Sequence, residues 1–221
     1  METRSHFHAE LEALKDEVSH LAALVEAARR QAVAAYFDQD MEAARQVVDG
    51  DGRINEQTCA IDEACLKLLA LEQPVALDLR RIVGYARAVI NFERLGDEAV
   101  TIAEAVLSGA GLPGSPDSTL RTLAEHVAGM SATTVAAFDH DDAAQAVTVC
   151  REDTKARVLA VAALRHITTA LAQCQASPEA TVQAILAARS LERMAAHAAN
   201  IAETVVFILQ GATMSQKCQP R

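Results

Sequence analysis

Two stretches of the 221-residue chain repeat each other: FERLGDEAVTIAE at residues 92–104 and LERMAAHAANIAE at residues 191–203. At an offset of 99 residues, Glu, Arg, Ala, Ile, Ala and Glu recur in the same order. A shorter echo lies upstream of each, where FDQD at residues 37–40 matches FDHD at residues 138–141. Internal duplication of this kind indicates two copies of one structural unit. We therefore predict two tandem units joined by a linker.

Apolar periodicity divides each unit into three long helices. In the first segment, apolar or small residues recur at alternating steps of four and three, as in the seam of a coiled coil. Alanine dominates an apolar fraction of 51%, and aromatic residues make up only 3%. That composition favours close helix–helix packing over a turn-rich β-fold. The prediction is an all-α fold of two tandem, pseudo-symmetric three-helix bundles. The seam of the first helix comprises Phe7, Leu11, Leu14, Val18, Leu21, Val25, Ala28 and Ala32.

Capping and breaking residues set the predicted boundaries in the first unit. The first helix ends near residues 36–38, and Asp38 or Asp40 can cap the second helix. The second helix runs from about Asp40 to Leu71. Pro74 fits the first turn of the third helix, because its missing N–H has no intrahelical partner there.

The second unit follows the Gly/Pro-rich linker GAGLPGS at residues 109–115. The fifth helix of the chain is expected to begin after residues 139–141. Ser–Pro pairs mark the predicted starts of the fourth and sixth helices, and a glycine marks the end of the sixth. The predicted domains are residues 1–108 and residues 115–211, and the tail at residues 212–221 is expected to be disordered. The boundary residues are Ser115 and Pro116 for the fourth helix, and Ser177, Pro178 and Gly211 for the sixth.

Charge and cysteine content exclude several classes of protein. A formal charge of −10 and a pI of about 5.1 make nucleic acid an unsuitable partner, whereas metal cations or a basic protein surface suit such a chain. No secretory leader and no membrane-spanning stretch is expected, so the predicted location is the cytoplasm. Five cysteines without a CxxC pattern indicate reduced, mostly buried thiols. They are Cys59, Cys65, Cys150, Cys174 and Cys218.

Acidic residues occupy positions in the helix seams that otherwise hold small or apolar residues. Asp51 in the second helix and Glu93 in the third are two such residues, and Asp153 and Glu192 repeat them in the second unit. An isolated carboxylate in a seam is costly unless it is paired, protonated or bound to metal. Four acids at corresponding positions indicate that both units carry the same kind of site.

Each acid of the first unit has a further oxygen-bearing residue one helical turn later. Asp51 and Asn55 would face Glu93 and Asp97, because residues four apart share a helix face. Oxygen-only ligands suit Mg²⁺, Mn²⁺ or iron. A structural alternative stays open, because the seam can be drawn in other registers and neighbouring arginines could pair with these acids. The candidate arginines are Arg80, Arg81 and Arg94.

Taken together, these blocks resemble the PhoU family over nearly the whole chain. The resembling stretches are AIDEAC at 60–65, QPVALDLR at 73–80, ERLGD at 93–97, RED at 151–153, and Glu192-Arg193 with NIAE at 200–203. The resemblance implies two three-helix bundles, each with a metal site, and a non-enzymatic regulator that restrains phosphate uptake. It also implies an adaptor between the ATPase subunit of the phosphate ABC transporter and a phosphate-sensing histidine kinase, as well as a homodimer.

Carried over by position, the resemblance assigns two metal sites of unequal quality. The first comprises Asp51, Asn55, Glu93 and Asp97, and Asn55 is a variant that the family tolerates. In the second, Asp153 and Glu192 remain, but Arg157 and Ala196 stand where acids are expected. We hypothesise that the Arg157 guanidinium lies between Asp153 and Glu192 in place of a metal. In the alternative, Arg157 points to solvent and the site has decayed.

Two other functions remain open at this stage. A metal store or di-iron oxidase would need two ExxH motifs on separate helices, and the chain has one, at Glu17 and His20. A metal-free helical scaffold for another transporter would fill its seams with salt bridges instead. No nucleophile motif and no Gly-rich phosphate loop is present, which disfavours an enzyme.

Overall fold

The computed structural model describes residues 2–112 and 118–211, and within them it contains six helices and no strand. The first three helices form one bundle and the last three a second, so the predicted all-α fold of two three-helix bundles is confirmed. The helices are α1 (Glu2–Asp38), α2 (Met41–Glu72), α3 (Ala76–Leu107), α4 (Ser118–Asp139), α5 (Ala143–Ala172) and α6 (Pro178–Gln210). None of them combines the length and apolarity needed to cross a membrane.

Side-chain caps begin three of the helices. Asp40 accepts hydrogen bonds from the backbone N–H groups of Glu42 and Ala43, which satisfies donors that lack an intrahelical partner. Asp142 caps α5 and Ser177 caps α6 in the same way, with Pro178 in the first turn of α6. Gly211, with a φ of +68°, ends α6. These boundaries agree with the sequence predictions.

Other predicted boundaries are wrong or lie outside the described residues. Pro74 precedes α3 instead of starting it, and Val75 takes the N-cap position in an extended conformation without a side-chain cap. An extended conformation before the helix is compatible with proline, so Pro74 ends the connection from α2. The capping roles of Ser115 and Pro116 and the fate of the tail at 212–221 fall outside the described residues.

The predicted seams are mostly, though not wholly, buried. Seven of the eight seam residues of α1 are buried, and Ala28 is half-buried. The beginning of α3 is more exposed, since its N-cap residue Val75 is 73% exposed and Leu79 is 40% exposed. The expectation of mostly buried cysteines is also wrong: Cys65 is buried and Cys150 half-buried, but Cys59 and Cys174 are exposed. Cys218 lies outside the described residues.

Helices α3 and α6 form the centre of the molecule. They have 14 of 32 and 17 of 33 residues buried, whereas α2 has 6 of 32, so α3 and α6 are covered on more than one face. One continuous buried core contains residues from both bundles. The division into domains at residues 108 and 115 therefore stays a prediction.

Helices α3 and α6 run antiparallel and approach closely. Arg80 Nε donates to the carbonyl oxygen of Ile208 at 3.0 Å near one end, and Arg193 donates to Glu98 further along. At Gly84, an added Cβ would lie 2.3 Å from Cγ1 of Ile208. Only a residue without a side chain fits this contact, so Gly84 sets the distance between the two bundles.

Among the polar contacts that link the bundles, two involve buried charged side chains, and neither was predicted. Arg193 forms a two-pronged ion pair with the buried carboxylate of Glu98, with Nε and Nη2 each 2.7 Å from an oxygen. On α1, Glu26 pairs with the buried Arg29 and accepts a 2.7 Å hydrogen bond from Ser131 of α4. Burial raises the pKa of Glu26, but the arginine and serine contacts outweigh it, so the net pKa is lowered.

We expect Gly84→Ala to lower the free energy of unfolding by about 1–3 kcal/mol, because the new methyl group overlaps Ile208. Gly129→Ala in α4 is the matched control. No atom lies within 4 Å of the Cβ added there, so the greater helix propensity of alanine should stabilise the protein by up to about 1 kcal/mol. Urea unfolding followed by circular dichroism measures both, and equal shifts in the two variants would contradict the close approach.

Candidate metal centre

The packing of α2 against α3 brings the four residues of the first predicted site to one level. Ile54, between Asp51 and Asn55, faces Gly96, whose added Cβ would lie 3.3 Å from Cδ1 of Ile54. The absence of a side chain at Gly96 lets the two helices approach beside Asp97. Asp51 is half-buried at this interface and Asp97 lies at its exposed edge.

The carboxylates of this site repel one another. The pKa of Asp97 is raised, first by partial burial and then by the negative charges of Glu93, Asp51 and Glu98, while Arg94 opposes the rise. Such a mutual effect requires the acids of α2 and α3 to lie in one neighbourhood. A cation placed there would relieve the repulsion.

Asp51 carries the clearest sign that this site suits a cation. Its Oδ2 accepts a 2.8 Å hydrogen bond from Nδ2 of Asn55, whereas its Oδ1 is buried and has no hydrogen-bond partner. Buried polar atoms are normally satisfied, so an orphaned carboxylate oxygen requires an explanation. The donor set of carboxylates with an amide suits a hard divalent cation or iron, and the residues of the first site therefore fit the expected metal.

The side chains do not form a closed coordination shell. Within residues 2–112 and 118–211, no three His, Cys, Asp or Glu side chains are grouped closely enough to hold a metal ion. Metal binding by Asp51, Asn55, Glu93 and Asp97 therefore stays a prediction, and it requires these side chains to turn toward one another.

In the second predicted site, arginines neutralise the two remaining acids. Arg157 Nη2 lies 2.6 Å from Asp153 Oδ2, and Arg189 Nη1 lies 2.6 Å from Glu192 Oε2. The hypothesis that Arg157 bridges Asp153 and Glu192 is thus wrong for Glu192, since Arg157 pairs with Asp153 and Glu192 pairs with Arg189. Each acid pairs within its own helix, one turn away, because residues three or four apart are adjacent on a helix surface. Ala196 contributes no ligand.

One acid at the second site was not predicted from the sequence. Glu203 of α6 has a pKa raised first by burial and then by the charge of Asp153, so these two carboxylates are neighbours. Asp153 Oδ1, like its counterpart in Asp51, is buried without a hydrogen-bond partner. The repeat itself held the signal, since Glu203 is the last shared residue of the duplicated stretch and matches Glu104.

The alternative that nearby arginines pair with the acids of the first site is not supported. Arg80 donates to the carbonyl of Ile208, and Arg81 has a buried Nε without a partner. Within residues 2–112 and 118–211, Arg94 forms no ion pair, although its charge acts on Asp97. The acids of the first bundle are therefore not held by these arginines.

His197 has surroundings different from those of Glu17 and His20. His197 Nδ1 lies 3.2 Å from Oδ1 of Asn91, at the contact between α3 and α6, and its pKa is lowered chiefly by burial. Glu17 accepts a hydrogen bond from Gln57, and His20 is exposed on α1. Within the described residues, nothing gathers these side chains into a di-iron site.

We expect Asp97→Asn to stabilise the metal-free protein near neutral pH. A raised pKa means that ionisation of Asp97 is less favourable in the folded than in the unfolded chain, so its charge lowers stability once the pH exceeds about 3.9. The gain should therefore vanish at more acidic pH. Thermal unfolding in chelator at several pH values measures it, with Asp16→Asn on the exposed side of α1 as control. A destabilised variant at neutral pH would contradict the repulsion.

Residues 18–106 and 120–205 match the family described as the PhoU domain. Over 210 residues the chain is 32% identical to the phosphate-specific transport system accessory protein PhoU of Edwardsiella tarda, covering 95% of this chain and 86% of that protein. The homologue from Pseudomonas aeruginosa is 35% identical over 207 residues, covering 93% of this chain and 86% of that protein.

Solved structures share the same fold. The crystal structure of PhoU from Pseudomonas aeruginosa superposes with a TM-score of 0.89 at 34% identity, covering 93% of this chain and all of that one. The phosphate transport system regulatory protein PhoU from Streptococcus pneumoniae superposes with a TM-score of 0.86 at 28% identity, covering 94% and 98%.

Proposed function

Because the chain belongs to the PhoU family, we propose that it is an accessory regulator of phosphate uptake. The supporting observation is its similarity, across both bundles, to proteins named as accessory to phosphate-specific transport. The similarity reaches at least 93% of this chain, so it includes the central helices and both acidic sites.

In this proposal the protein acts as an adaptor in the cytoplasm, between the ATPase subunit of the phosphate ABC transporter and a phosphate-sensing histidine kinase. A chain with a net charge of −10 and large exposed apolar residues on α2, α3, α5 and α6 suits contacts with protein partners. We also propose that it forms a homodimer. Its restraint of uptake would operate when phosphate is ample.

The first bundle carries the metal in this proposal, and the second does not. Asp51, Asn55, Glu93 and Asp97 would hold iron, manganese or magnesium, and the ion would supply positive charge that draws α2 and α3 together. In the second bundle, Arg157 and Arg189 supply fixed positive charge instead. One bundle would therefore respond to metal, and the other would be independent of it.

We expect chelator-treated protein to bind Mn²⁺ in calorimetric titration, and Glu93→Gln combined with Asp97→Asn to abolish that binding. The reason is that the double variant removes two of the three carboxylates of the first site. Glu192→Gln is the matched control, because it alters an acid that already pairs with an arginine. Binding that survives the double variant would overturn the assignment.

A second control adds the missing ligands to the second bundle. Arg157→Asp combined with Ala196→Asp removes the cation and restores two carboxylates, so the number of bound Mn²⁺ ions per chain should rise. Unchanged stoichiometry would contradict the idea that arginine has replaced a second metal.

The regulatory role predicts that cells lacking this protein take up more phosphate when phosphate is ample. Radiolabelled phosphate uptake and a phosphate-starvation reporter measure the effect, and the intact gene should restore restraint. If the metal-site double variant also restores the restraint of uptake, regulation does not require the bound metal. Unchanged uptake and reporter would overturn the role and favour a scaffold for another transporter.

A further inference from the structure

A long apolar groove lies between the N-terminal part of α1 and the C-terminal half of α2. Its volume is about 340 Å³. Buried Leu14, Ile61 and Leu68 form its floor, and small alanines of both helices leave room above them. Leu71, at its far end, is 67% exposed. A highly exposed leucine that is continuous with an apolar floor is typical of surfaces that bind other proteins.

Among the described residues, one wall of this groove is present in the first bundle alone. Helix α1 has 37 residues, whereas α4, its counterpart in the repeat, has 22 described residues. Matching residues 37–40 with residues 138–141 places Ser118 of α4 opposite Glu17 of α1. The wall formed by Glu10, Ala13 and Leu14 thus has no counterpart among the described residues of α4.

Acidic side chains surround the groove. Glu10 and Glu17 stand on the α1 wall and Glu72 at the end of α2, and among the described residues that line the groove Lys67 is the one cation. Gln57 donates a hydrogen bond to Glu17 and links the two walls at one end. From there the groove extends along α2 to Glu72, about four helical turns or roughly 22 Å at 1.5 Å per residue.

We propose that this groove binds an amphipathic helix of a protein partner whose apolar face is flanked by lysine or arginine. An elongated apolar groove between two helices suits helix-in-groove recognition, in which residues at i, i+3, i+4 and i+7 enter the groove. The acids of the rim select basic flanks and speed association. A fourth helix in this position would complete a four-helix bundle with α1, α2 and α3.

The inference deepens the proposed adaptor role, on which it rests for the existence of a protein partner. It does not depend on metal, because the groove shares no residue with Asp51, Asn55, Glu93 or Asp97. Its test uses a synthetic peptide and purified protein, so its failure and the failure of phosphate regulation can be told apart.

The experiment compares two fluorescent helical peptides of about 18 residues that differ only in charge. Both carry leucines at i, i+3, i+4 and i+7, and the polar positions are lysine in one and glutamate in the other. Fluorescence anisotropy should show saturable binding of the lysine peptide at moderate salt, and none of the glutamate peptide. Equal binding of both peptides, or of neither, would overturn the proposal.

Matched variants separate the groove from general attraction to an acidic protein. Leu71→Gln removes an exposed leucine that lines the groove and should weaken binding about tenfold. Leu66→Gln removes an equally exposed leucine of the same helix outside the groove, and should leave binding unchanged. Equal loss in both variants would show binding elsewhere and contradict the site.

Charge is tested in the same way. Glu10→Gln combined with Glu72→Gln should weaken binding several-fold, with an effect that fades as salt rises, whereas Glu63→Gln on the exposed side of α2 should not.

A second copy of the chain is the competing occupant of the groove. Sedimentation of wild type and Leu71→Gln distinguishes it, because a dimer dissociated by Leu71→Gln would show that the groove is filled by another copy, and would overturn the proposed partner.

Discussion

The antiparallel contact between α3 and α6 is the constraint on which the rest of the structure depends. Gly84 allows the two helices to approach, and the Glu98–Arg193 ion pair connects them where their small residues meet. With two arginine nitrogens each 2.7 Å from a carboxylate oxygen, the burial of this charge is offset by strong, directional bonds. Because each of these helices also packs against the other two of its own bundle, their spacing fixes where both acidic sites lie.

Much of the fold was predictable because its signals are local. Asp40 and Ser177 cap helices through hydrogen bonds to residues two or three positions away, and the seam of α1 repeats every three or four residues. Such features depend on neighbours in the sequence. The duplicated stretches added the one long-range element, because two similar units imply similar folds.

The features that escaped prediction depend on distant partners. Glu26 and Ser131 are separated by 105 positions, and no spacing rule reveals their hydrogen bond. Arg157 and Arg189 are different, because each pairs with an acid three or four positions away on its own helix, a contact that spacing alone would have favoured. The four residues of the first site were identified from seam positions, but whether they close around an ion is set by side-chain rotation, which the pattern of a helix does not encode.

The two halves also show how a duplicated fold can lose its symmetry. In the repeat, Arg94 corresponds to Arg193 and Glu98 to His197. Arg193 reaches Glu98 across the central contact, whereas the equivalent pair on the other side would join Arg94 to a histidine whose pKa is lowered chiefly by burial. Were the two bundles separate copies of one short chain, this contact would be an isologous dimer interface, and every substitution would appear twice. Because the two bundles are parts of one chain, a substitution on one side of the contact leaves the other side unaltered. Arg157, Ala196 and His197 are changes of a kind that an obligatory homodimer of single bundles would have had to accept in both subunits at once.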